Sequence, residues 1–175
     1  MIKEPRMRIL TVEEMPAKTR QMIQGDGPTN SLNINKMMAH AETCVRHYMR
    51  LGSALLSQLR LDPVLRELSI LRVATLCDSY YERLQHEKIA GTVGVSEEKI
   101  QGVRISTNEP CFSELERLVL QYTEEVTKEV KSTEETFSKL TGHFSQREIA
   151  ELTLLIGFYN MVARFLENTE VQMEE

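Results

Sequence analysis

Apolar positions along the chain recur mostly at the three- and four-residue spacing of helices, and the alternation typical of strands is rare. Helix starts are indicated wherever a Ser or Thr is followed three residues later by Glu, because the two side chains can cap each other's backbone N–H groups. These pairs are Thr11 with Glu14, Ser79 with Glu82, Ser113 with Glu116, Ser132 with Glu135, and Ser145 with Glu148. The pattern predicts an all-α protein.

Periodicity and breaker residues also give approximate helix bounds. Gly25-Asp26-Gly27-Pro28 predicts a break followed by an irregular stretch, and residues 102–112 are predicted to form a loop. Asp62-Pro63 predicts a helix start, with Asp as cap and Pro in the first turn. The predicted helices lie at about 12–23, 35–59 (one helix or a pair), from 63, 79–90, from 96, 114–130, 133–140 and 146–167. We expect a single domain over 1–175, in which a short helix and loop (1–34) precede the core helices (35–175).

Composition narrows the class of protein. The 175 residues are 41% hydrophobic and 27% charged, with a formal net charge of −5, which argues against a nucleic-acid-binding surface and against a polybasic membrane patch. No uninterrupted apolar run approaches the ~18 residues of a membrane span, and the N-terminus lacks the apolar core of a secretory signal. We therefore expect a cytoplasmic protein that does not span a membrane.

The three cysteines are far apart in sequence and form neither a CxxC pair nor a zinc-binding pattern. They are Cys44, Cys77 and Cys111. In a reducing compartment an odd number of cysteines favours buried free thiols over disulfides. We expect no metal site.

Charged residues within an apolar stretch are the most informative feature of the sequence. Residues 65–77 are apolar on nearly every side, a pattern typical of a buried helix, yet they include Glu67 and Arg72. Farther along, Glu82 and His86 are four residues apart and therefore share one helical face. A carboxylate that holds one imidazole nitrogen fixes the tautomer and leaves the other nitrogen for proton transfer.

Glu67 and His86 are 19 residues apart, which on one straight helix would separate them by roughly 28 Å. They can meet only if the chain turns between them. Asp78 and Ser79 favour cap positions, so we expect a helix–turn–helix that pivots near Cys77 and Asp78 and returns Glu67 to His86.

At these residues the sequence resembles the carboxymuconolactone decarboxylase-like family, which is related to the alkyl hydroperoxidase D-like (AhpD-like) proteins. The resemblance implies an AhpD-like helical fold, a small-molecule substrate, no cofactor, and a homo-oligomer that is a trimer or a hexamer. The stretches that carry it are 66–68, 70–74, 81–82, His86, 95–100, 144–148 and 159–164, with 32–34 and 39–40 near the N-terminus.

The peroxidase branch of this group has a Glu, two Cys and a His at fixed spacings. Glu67 and His86 match the outer members, but Ser79 and Glu82 occupy the cysteine positions. The resemblance therefore favours the decarboxylase side: an acid–base enzyme that decarboxylates or isomerises a small lactone or enolisable acid. His86 would transfer the proton, and Glu67 and Glu82 would orient it and tune its charge.

Other residues are candidates for contact with the substrate. Arg72 or Arg83 could hold a carboxylate, and His40 matches a family position. The complete set of candidate substrate-binding residues is Ser79, Tyr80, Tyr81, Arg72, Arg83, His40 and Asn160.

Several structural interpretations remain open beside these functional ones. Glu82 could serve only as the capping partner of Ser79, and Glu67 could simply pair with Arg66 or Arg72. Two alternative functions also remain: a thiol-dependent redox protein that uses Cys77, and a non-catalytic binding or assembly protein on the same fold. Cys77 lacks a nearby resolving thiol and ends an apolar run, so we expect it to be part of the core.

Overall fold

The computed structural model describes residues 4–24 and 32–174, and all regular secondary structure in these ranges is helical. This confirms the predicted all-α fold class. The break predicted at 25–28 lies outside the described residues. The elements are a 3₁₀ helix η1 (Val12–Glu14) and the α-helices α1 (Ala17–Ile23), α2 (Asn33–Met38), α3 (Val45–Ser57), α4 (Pro63–Leu76), α5 (Tyr80–Thr92), α6 (Glu97–Ile105), α7 (Glu114–Glu129), α8 (Glu134–Thr141) and α9 (Gln146–Thr169).

The chain forms two compact units. The first takes in the described residues of 1–58 and 165–175 and has a small apolar core. The second takes in residues 59–164 and contains α4 to α8 with most of α9. The core of the first unit consists of Leu10, Met15, Ile23 and Ala39, with the half-buried Met49 against them.

Helix α4 is the centre of the second unit and packs against α5, α6 and α7. Every residue from 65 to 74 is buried, as the all-round apolar pattern predicted. Asp62 caps this helix by accepting hydrogen bonds from the N–H groups of Val64 (2.8 Å) and Leu65 (3.2 Å). The core cluster around α4 consists of Leu68, Leu71, Ala90, Val95, Ile100, Val103, Phe112 and Leu120.

A tight turn reverses the chain between α4 and α5, where the sequence predicted a pivot. Asp78 has a left-handed backbone conformation (φ 51°), which Asp tolerates better than most side chains. Its N–H donates to the carbonyl of Thr75 (3.2 Å), and the N–H of Ser79 donates to that of Ala74 (2.8 Å). This is the Schellman arrangement, which satisfies the last carbonyls of a helix and allows α5 to begin at once.

Two predicted helix bounds are wrong. The helix predicted over 12–23 is divided into η1 and α1, because Met15 is extended before Pro16 and proline lacks an N–H donor. Helix α6 continues through Gly102 to Ile105, where a loop was predicted. At Gly102 an added Cβ would lie 2.9 Å from the sulfur of Cys111, so tertiary packing accounts for this glycine.

Capping is partly as predicted. The carboxylates of Glu14, Glu116 and Glu148 accept hydrogen bonds from the N–H groups of Thr11, Ser113 and Ser145 at 2.8–2.9 Å. Helix α8 is capped by Thr133 rather than Ser132, since the hydroxyl of Thr133 accepts from the N–H of Thr136 at 3.1 Å. The box predicted for Ser79 and Glu82 is wrong, because Ser79 precedes α5 without a side-chain capping bond.

Among the described helices, α9 is long and apolar enough to cross a membrane by length and composition, with a mean hydropathy of 1.4 over 18 residues. Half of that window is buried inside the protein, which is also the pattern of a helix in a protein core.

Candidate functional site

Helices α4 and α5 bring Glu67 and His86 into direct contact. Nδ1 of His86 lies 2.8 Å from Oε2 of Glu67, although 19 positions separate the two residues in sequence. The left-handed turn at Asp78 makes this contact possible, because it folds α5 back along α4. The predicted meeting of the carboxylate and the imidazole is confirmed, and their role in catalysis stays a prediction.

The second carboxylate oxygen of Glu67 is also engaged. Oε1 lies 2.8 Å from Nε of Arg66, so the carboxylate bridges a guanidinium and an imidazole. Glu67 is 0% exposed, and Arg66 and His86 retain only 8% and 7% of their surface. The sequence left Arg66 and Arg72 open as partners of Glu67. The structure selects Arg66 and shows that pairing with an arginine does not exclude contact with His86.

The environment of Glu67 keeps its carboxylate ionised. Burial by itself would raise the pKa of Glu67, but the hydrogen bonds and positive charges of His86 and Arg66 hold this pKa below its ordinary value of 4.5. An ionised carboxylate only accepts hydrogen bonds, so Nδ1 of His86 must carry the proton that is shared with Glu67. In the neutral ring, Nε2 then has the lone pair and can act as a base.

An aromatic ring from α9 packs against the imidazole. The ring centroids of His86 and Tyr159 are 4.8 Å apart and the planes are nearly perpendicular (88°). Phe158 in turn lies edge-on to Tyr159, with centroids 5.4 Å apart. Sequence analysis did not single out Tyr159 as a site residue, although it lies within a stretch that carries the family resemblance. This edge contact and the Glu67 hydrogen bond together fix the orientation of the His86 ring.

Ser79 and the first turn of α5 together hold five other predicted site residues. Ser79, Tyr81 and Glu82 are buried, whereas Tyr80 is 58% exposed. The guanidinium of Arg83 lies over the ring of Tyr80, 5.2 Å from its centroid. Arg83 also pairs with Glu87 at 2.6 Å, one turn farther along the helix.

Arg72 is held within the protein by two partners. Its NH1 donates to the carbonyl of Val103 at 2.7 Å, and its NH2 lies 3.0 Å from Oε2 of Glu124. The side chain is buried. These contacts give Arg72 a structural role and direct its guanidinium toward α6 and α7.

The last two predicted substrate-binding residues lie elsewhere. His40, in the first unit, is exposed, and its Nε2 is 2.9 Å from the backbone carbonyl of Arg8. Asn160, on α9 in the second unit, donates to Thr127 Oγ1 at 3.0 Å and accepts from NH1 of Arg164 at 2.6 Å. Both side chains are therefore engaged by protein groups.

None of the three cysteines forms a disulfide, as predicted, but their predicted burial is wrong. Cys44 is exposed, and Cys77 and Cys111 are half-buried. Cys77 follows the last residue of α4, where the chain turns, and its sulfur lies 3.9 Å from NH1 of Arg164. The apolar run before Cys77 predicted burial, but the end of the helix leaves this side chain partly accessible.

Two cavities lie within the second unit. One, of about 530 Å³, is bordered by the start of α5 and the end of α6 and includes Ser79, Tyr80 and Arg83 among its lining residues. The other, of about 820 Å³, is a mainly apolar groove formed by α7, α8 and α9. Neither of these two cavities is lined by Glu67, Glu82 or His86. Within the described ranges, no group of three or more His, Cys, Asp or Glu side chains is arranged to hold a metal ion.

Comparison with solved structures identifies the fold. The structure superimposes on the alkylhydroperoxidase AhpD core of an uncharacterized peroxidase-related protein from Ralstonia eutropha JMP134, with a TM-score of 0.85 and 16% identity over 98% of this chain and 93% of the other. A peroxidase-related protein from Silicibacter sp. TM1040 gives a TM-score of 0.82 at 16% identity, with the same coverage. A protein of unknown function from Agrobacterium tumefaciens, suggested to be the antioxidant defence protein AhpD, gives 0.73 at 24% identity over 79% of this chain and 96% of the other. The fold is AhpD-like.

Sequence comparison matches part of the chain to a family model. Residues 43–125 match the Carboxymuconolactone decarboxylase family, and with the AhpD-like fold this match supports the superfamily that contains both groups. The uncharacterized protein YnjA of Escherichia coli K12 is 35% identical over 107 residues, which are 60% of this chain and 58% of YnjA. The chain therefore spans less than two thirds of the length of this curated relative. The superfamily contains enzymes, and the matches leave decarboxylase and peroxidase activity equally open.

Proposed function

We propose that the protein is an acid–base enzyme resembling carboxymuconolactone decarboxylase, in which His86 moves a proton on a small lactone or enolisable acid. The observation that carries the proposal is the 2.8 Å contact between His86 and a fully buried, ionised Glu67. A carboxylate in this position fixes the tautomer of the imidazole and stabilises the imidazolium that forms when the ring accepts a proton.

In the proposed reaction, the bond between the substrate and its carboxyl carbon breaks and CO₂ leaves. The electron pair of that bond remains on the substrate as an enolate. The proton on Nε2 of the His86 imidazolium then passes to the substrate carbon, and the ring returns to its neutral form. In an isomerisation, His86 would remove a proton from one carbon and return it to another.

Glu67 acts in this scheme as a positioning residue, because both of its oxygens are occupied by protein groups. Arg66 balances the buried negative charge, which by itself would be costly in a protein interior. Glu82, which is buried one turn before His86 on α5, would support the charge state of the imidazole.

The test is a screen of the purified protein against lactones and enolisable carboxylic acids, read out as CO₂ release and as deuterium uptake from solvent. Activity that disappears in His86→Gln and persists in His143→Gln, a change at an exposed histidine of the same unit, supports the proposal. A substrate that His86→Gln converts as fast as the unaltered protein would contradict the proposal.

One observation favours a second candidate, a non-catalytic binding protein. Neither of the two cavities described above is lined by His86, and the residue keeps only 7% of its surface exposed. In that case Arg66, Glu67 and His86 form a structural cluster, and His86→Gln would lower stability without affecting any turnover. The absence of turnover across the whole screen favours this candidate.

The thiol-redox alternative depends on Cys77, which is half-buried beside Arg164. Peroxide titration with counting of free thiols separates it from the acid–base proposal. In a converse test, Ser79→Cys combined with Glu82→Cys restores the cysteine spacing of the peroxidase branch. That double variant should gain thiol redox chemistry that the unaltered chain does not show.

We also propose that the protein is a cytoplasmic homo-oligomer, a trimer or a hexamer, as the family resemblance implies. Sedimentation at micromolar concentration tests the assembly, and a monomeric mass would contradict it.

A further inference from the structure

A second polar site lies at the start of α5. The cavity of about 530 Å³ there is lined by the end of α4, the turn residues Asp78 and Ser79, the first turns of α5, and the end of α6. The side chains that carry charge or hydrogen-bonding groups into its wall include Arg83, Gln101 and Arg104.

Ser79 is the least expected residue in this wall. Ser79 is only 1% exposed, and among the described residues its Oγ has no hydrogen-bond partner. The hydroxyl does not cap α5, although Ser at this position normally accepts a hydrogen bond from the first turn of the helix. A buried hydroxyl without a partner is costly, and a ligand in the cavity would supply that partner.

The N-terminus of α5 adds an electrostatic field that is favourable for an anion. This helix is 13 residues long, and its N-terminus carries a partial positive charge from the aligned peptide dipoles. Glu82, in the first turn, offsets part of this field although it does not line the cavity, and the remaining backbone N–H groups still favour an anion. A negatively charged ligand group is therefore stabilised at this helix end more than a neutral group of the same size.

The charged side chains of the wall favour the same kind of ligand. Arg104 is exposed on α6, and its NH1 donates to the amide oxygen of Gln101 at 3.1 Å. Arg83 is paired with Glu87 at 2.6 Å, which reduces but does not remove its attraction for a second anion. Asp78 is exposed and opposes an anion. The wall of the cavity thus contains two guanidinium groups and one carboxylate.

We propose that this cavity binds the oxyanion group of a small ligand, a carboxylate or a phosphate, between the Ser79 hydroxyl, the start of α5, and the guanidinium groups of Arg83 and Arg104. Ser79 and Arg83 are also candidate substrate contacts, so the proposal deepens the proposed function by naming the group they would hold, and it is tested by direct binding without any turnover. Ser79, which directly precedes α5, and His86 are seven residues apart, which places the bound anion about 10 Å along the helix axis from His86.

The experiment is a titration of the full chain with acetate, succinate and inorganic phosphate at constant ionic strength, followed by calorimetry and by amide shifts in ¹H–¹⁵N spectra. We expect saturable binding with shifts concentrated at residues 78–83 and 101–105. Tighter binding of succinate than of phosphate identifies a carboxylate site, and the reverse order identifies a phosphate site.

Variants separate a built site from general attraction to positive charge. Ser79→Ala and Arg104→Gln should each weaken binding about tenfold, the effect of losing one hydrogen bond to a charged group. Asp78→Asn should tighten binding, and Asn tolerates the left-handed backbone at this position. Arg147→Gln is the matched control, because it removes an arginine from an i,i+4 pair with Glu151 outside this cavity.

Stability gives an independent readout. Because the Ser79 hydroxyl has no hydrogen-bond partner within residues 4–24 and 32–174, Ser79→Ala should keep or raise the thermal midpoint while it lowers anion affinity. Two results would overturn the proposal: no saturable binding of any of the three anions, or equal weakening by Arg147→Gln and Arg104→Gln.

Discussion

Two ionic clusters include residues of helix α4 and are built from similar groups. In one, Arg66 and His86 bind the two oxygens of Glu67. In the other, Arg72 and Lys128 bind the two oxygens of Glu124. Each cluster therefore places one carboxylate between two basic groups, and each holds the pKa of that carboxylate below its ordinary value despite burial.

The clusters differ in their second basic group, which is His86 in one and Lys128 in the other, and in how deeply the carboxylate is buried. Lysine remains charged at neutral pH, whereas a histidine can gain or lose a proton in that range. Glu67 is fully buried, while the Glu124 side chain is 24% exposed. The comparison indicates that the Glu124 cluster connects α4 to α7, and that the Glu67 cluster is suited to proton transfer.

Removing His86, the titratable basic group, should have the largest effect on turnover. His86→Gln should lower turnover on a substrate found by the screen about 10²–10⁴-fold, the usual contribution of a general acid or base. Lys128→Gln, the equivalent change in the other cluster, should leave turnover within about twofold, because exposed ion pairs contribute little. Steady-state kinetics with circular dichroism as a folding control measures both variants, and equal losses of turnover would contradict the division.

Removing the carboxylate charge should affect stability unequally. Glu67→Gln should lower the free energy of unfolding by about 3–5 kcal/mol, because it leaves the buried charge of Arg66 without its counter-ion. Glu124→Gln should cost less, about 1.5–3 kcal/mol, since Arg72 keeps its bond to a carbonyl and the site is partly solvated. Urea unfolding at pH 7 gives both values, and the reverse order would show that depth does not distinguish the clusters.

Acid should remove part of this stability. The pKa of Glu67 is lower in the folded chain than its ordinary value of 4.5, so the unfolded chain binds the proton more readily. The contribution of Glu67 is then complete above about pH 4.5 and is lost as pH falls through the folded pKa. The stability difference between the unaltered protein and Glu67→Gln should shrink when urea unfolding is repeated from pH 6 to pH 3. A constant difference would contradict an ionised Glu67.

The smallest expected effect is at Cys77, which belongs to neither cluster. Cys77→Ser should leave turnover within about twofold, because a general acid–base reaction at His86 does not require a thiol. Its half-buried sulfur lies 3.8 Å from Oδ1 of Asn160, a contact that a serine hydroxyl can replace. Rapid stoichiometric oxidation of Cys77 by peroxide, with turnover by a reductant, would favour the redox alternative instead.

The sequence predicts the parts of the site that follow from local rules. The apolar stretch predicts that α4 is buried, and Asp78 and Ser79 predict the turn that returns Glu67 to His86. The side chain of Asp78 tolerates a left-handed backbone, so the chain can reverse without a glycine. These signals lie within 20 residues of each other, which is why the contact can be predicted.

The parts that depend on long-range packing are not predicted. Tyr159 reaches His86 from a distant helix. The sequence also left open whether Arg66 or Arg72 pairs with Glu67, and the structure selects Arg66 although adjacent helical residues do not normally face each other. Gly102 suggests a helix end by local rules, but it lies inside α6, and the close approach of the Cys111 sulfur accounts for a glycine at this position. The Ser79 hydroxyl fits a capping pattern and yet caps nothing.

The most direct test of the account is the protonation of the His86 ring, observed as the ¹⁵N shifts of Nδ1 and Nε2 in histidine-labelled protein. His86→Gln assigns the signals. In the neutral ring we predict a proton on Nδ1 and a lone pair on Nε2, because the ionised Glu67 can only accept a hydrogen bond. In Glu67→Gln the amide can donate to Nδ1, so the proton should move to Nε2. A ring that carries its proton on Nε2 in the unaltered protein, or that is unchanged in Glu67→Gln, would contradict the assignment of Glu67 and His86 as the proton-transfer pair.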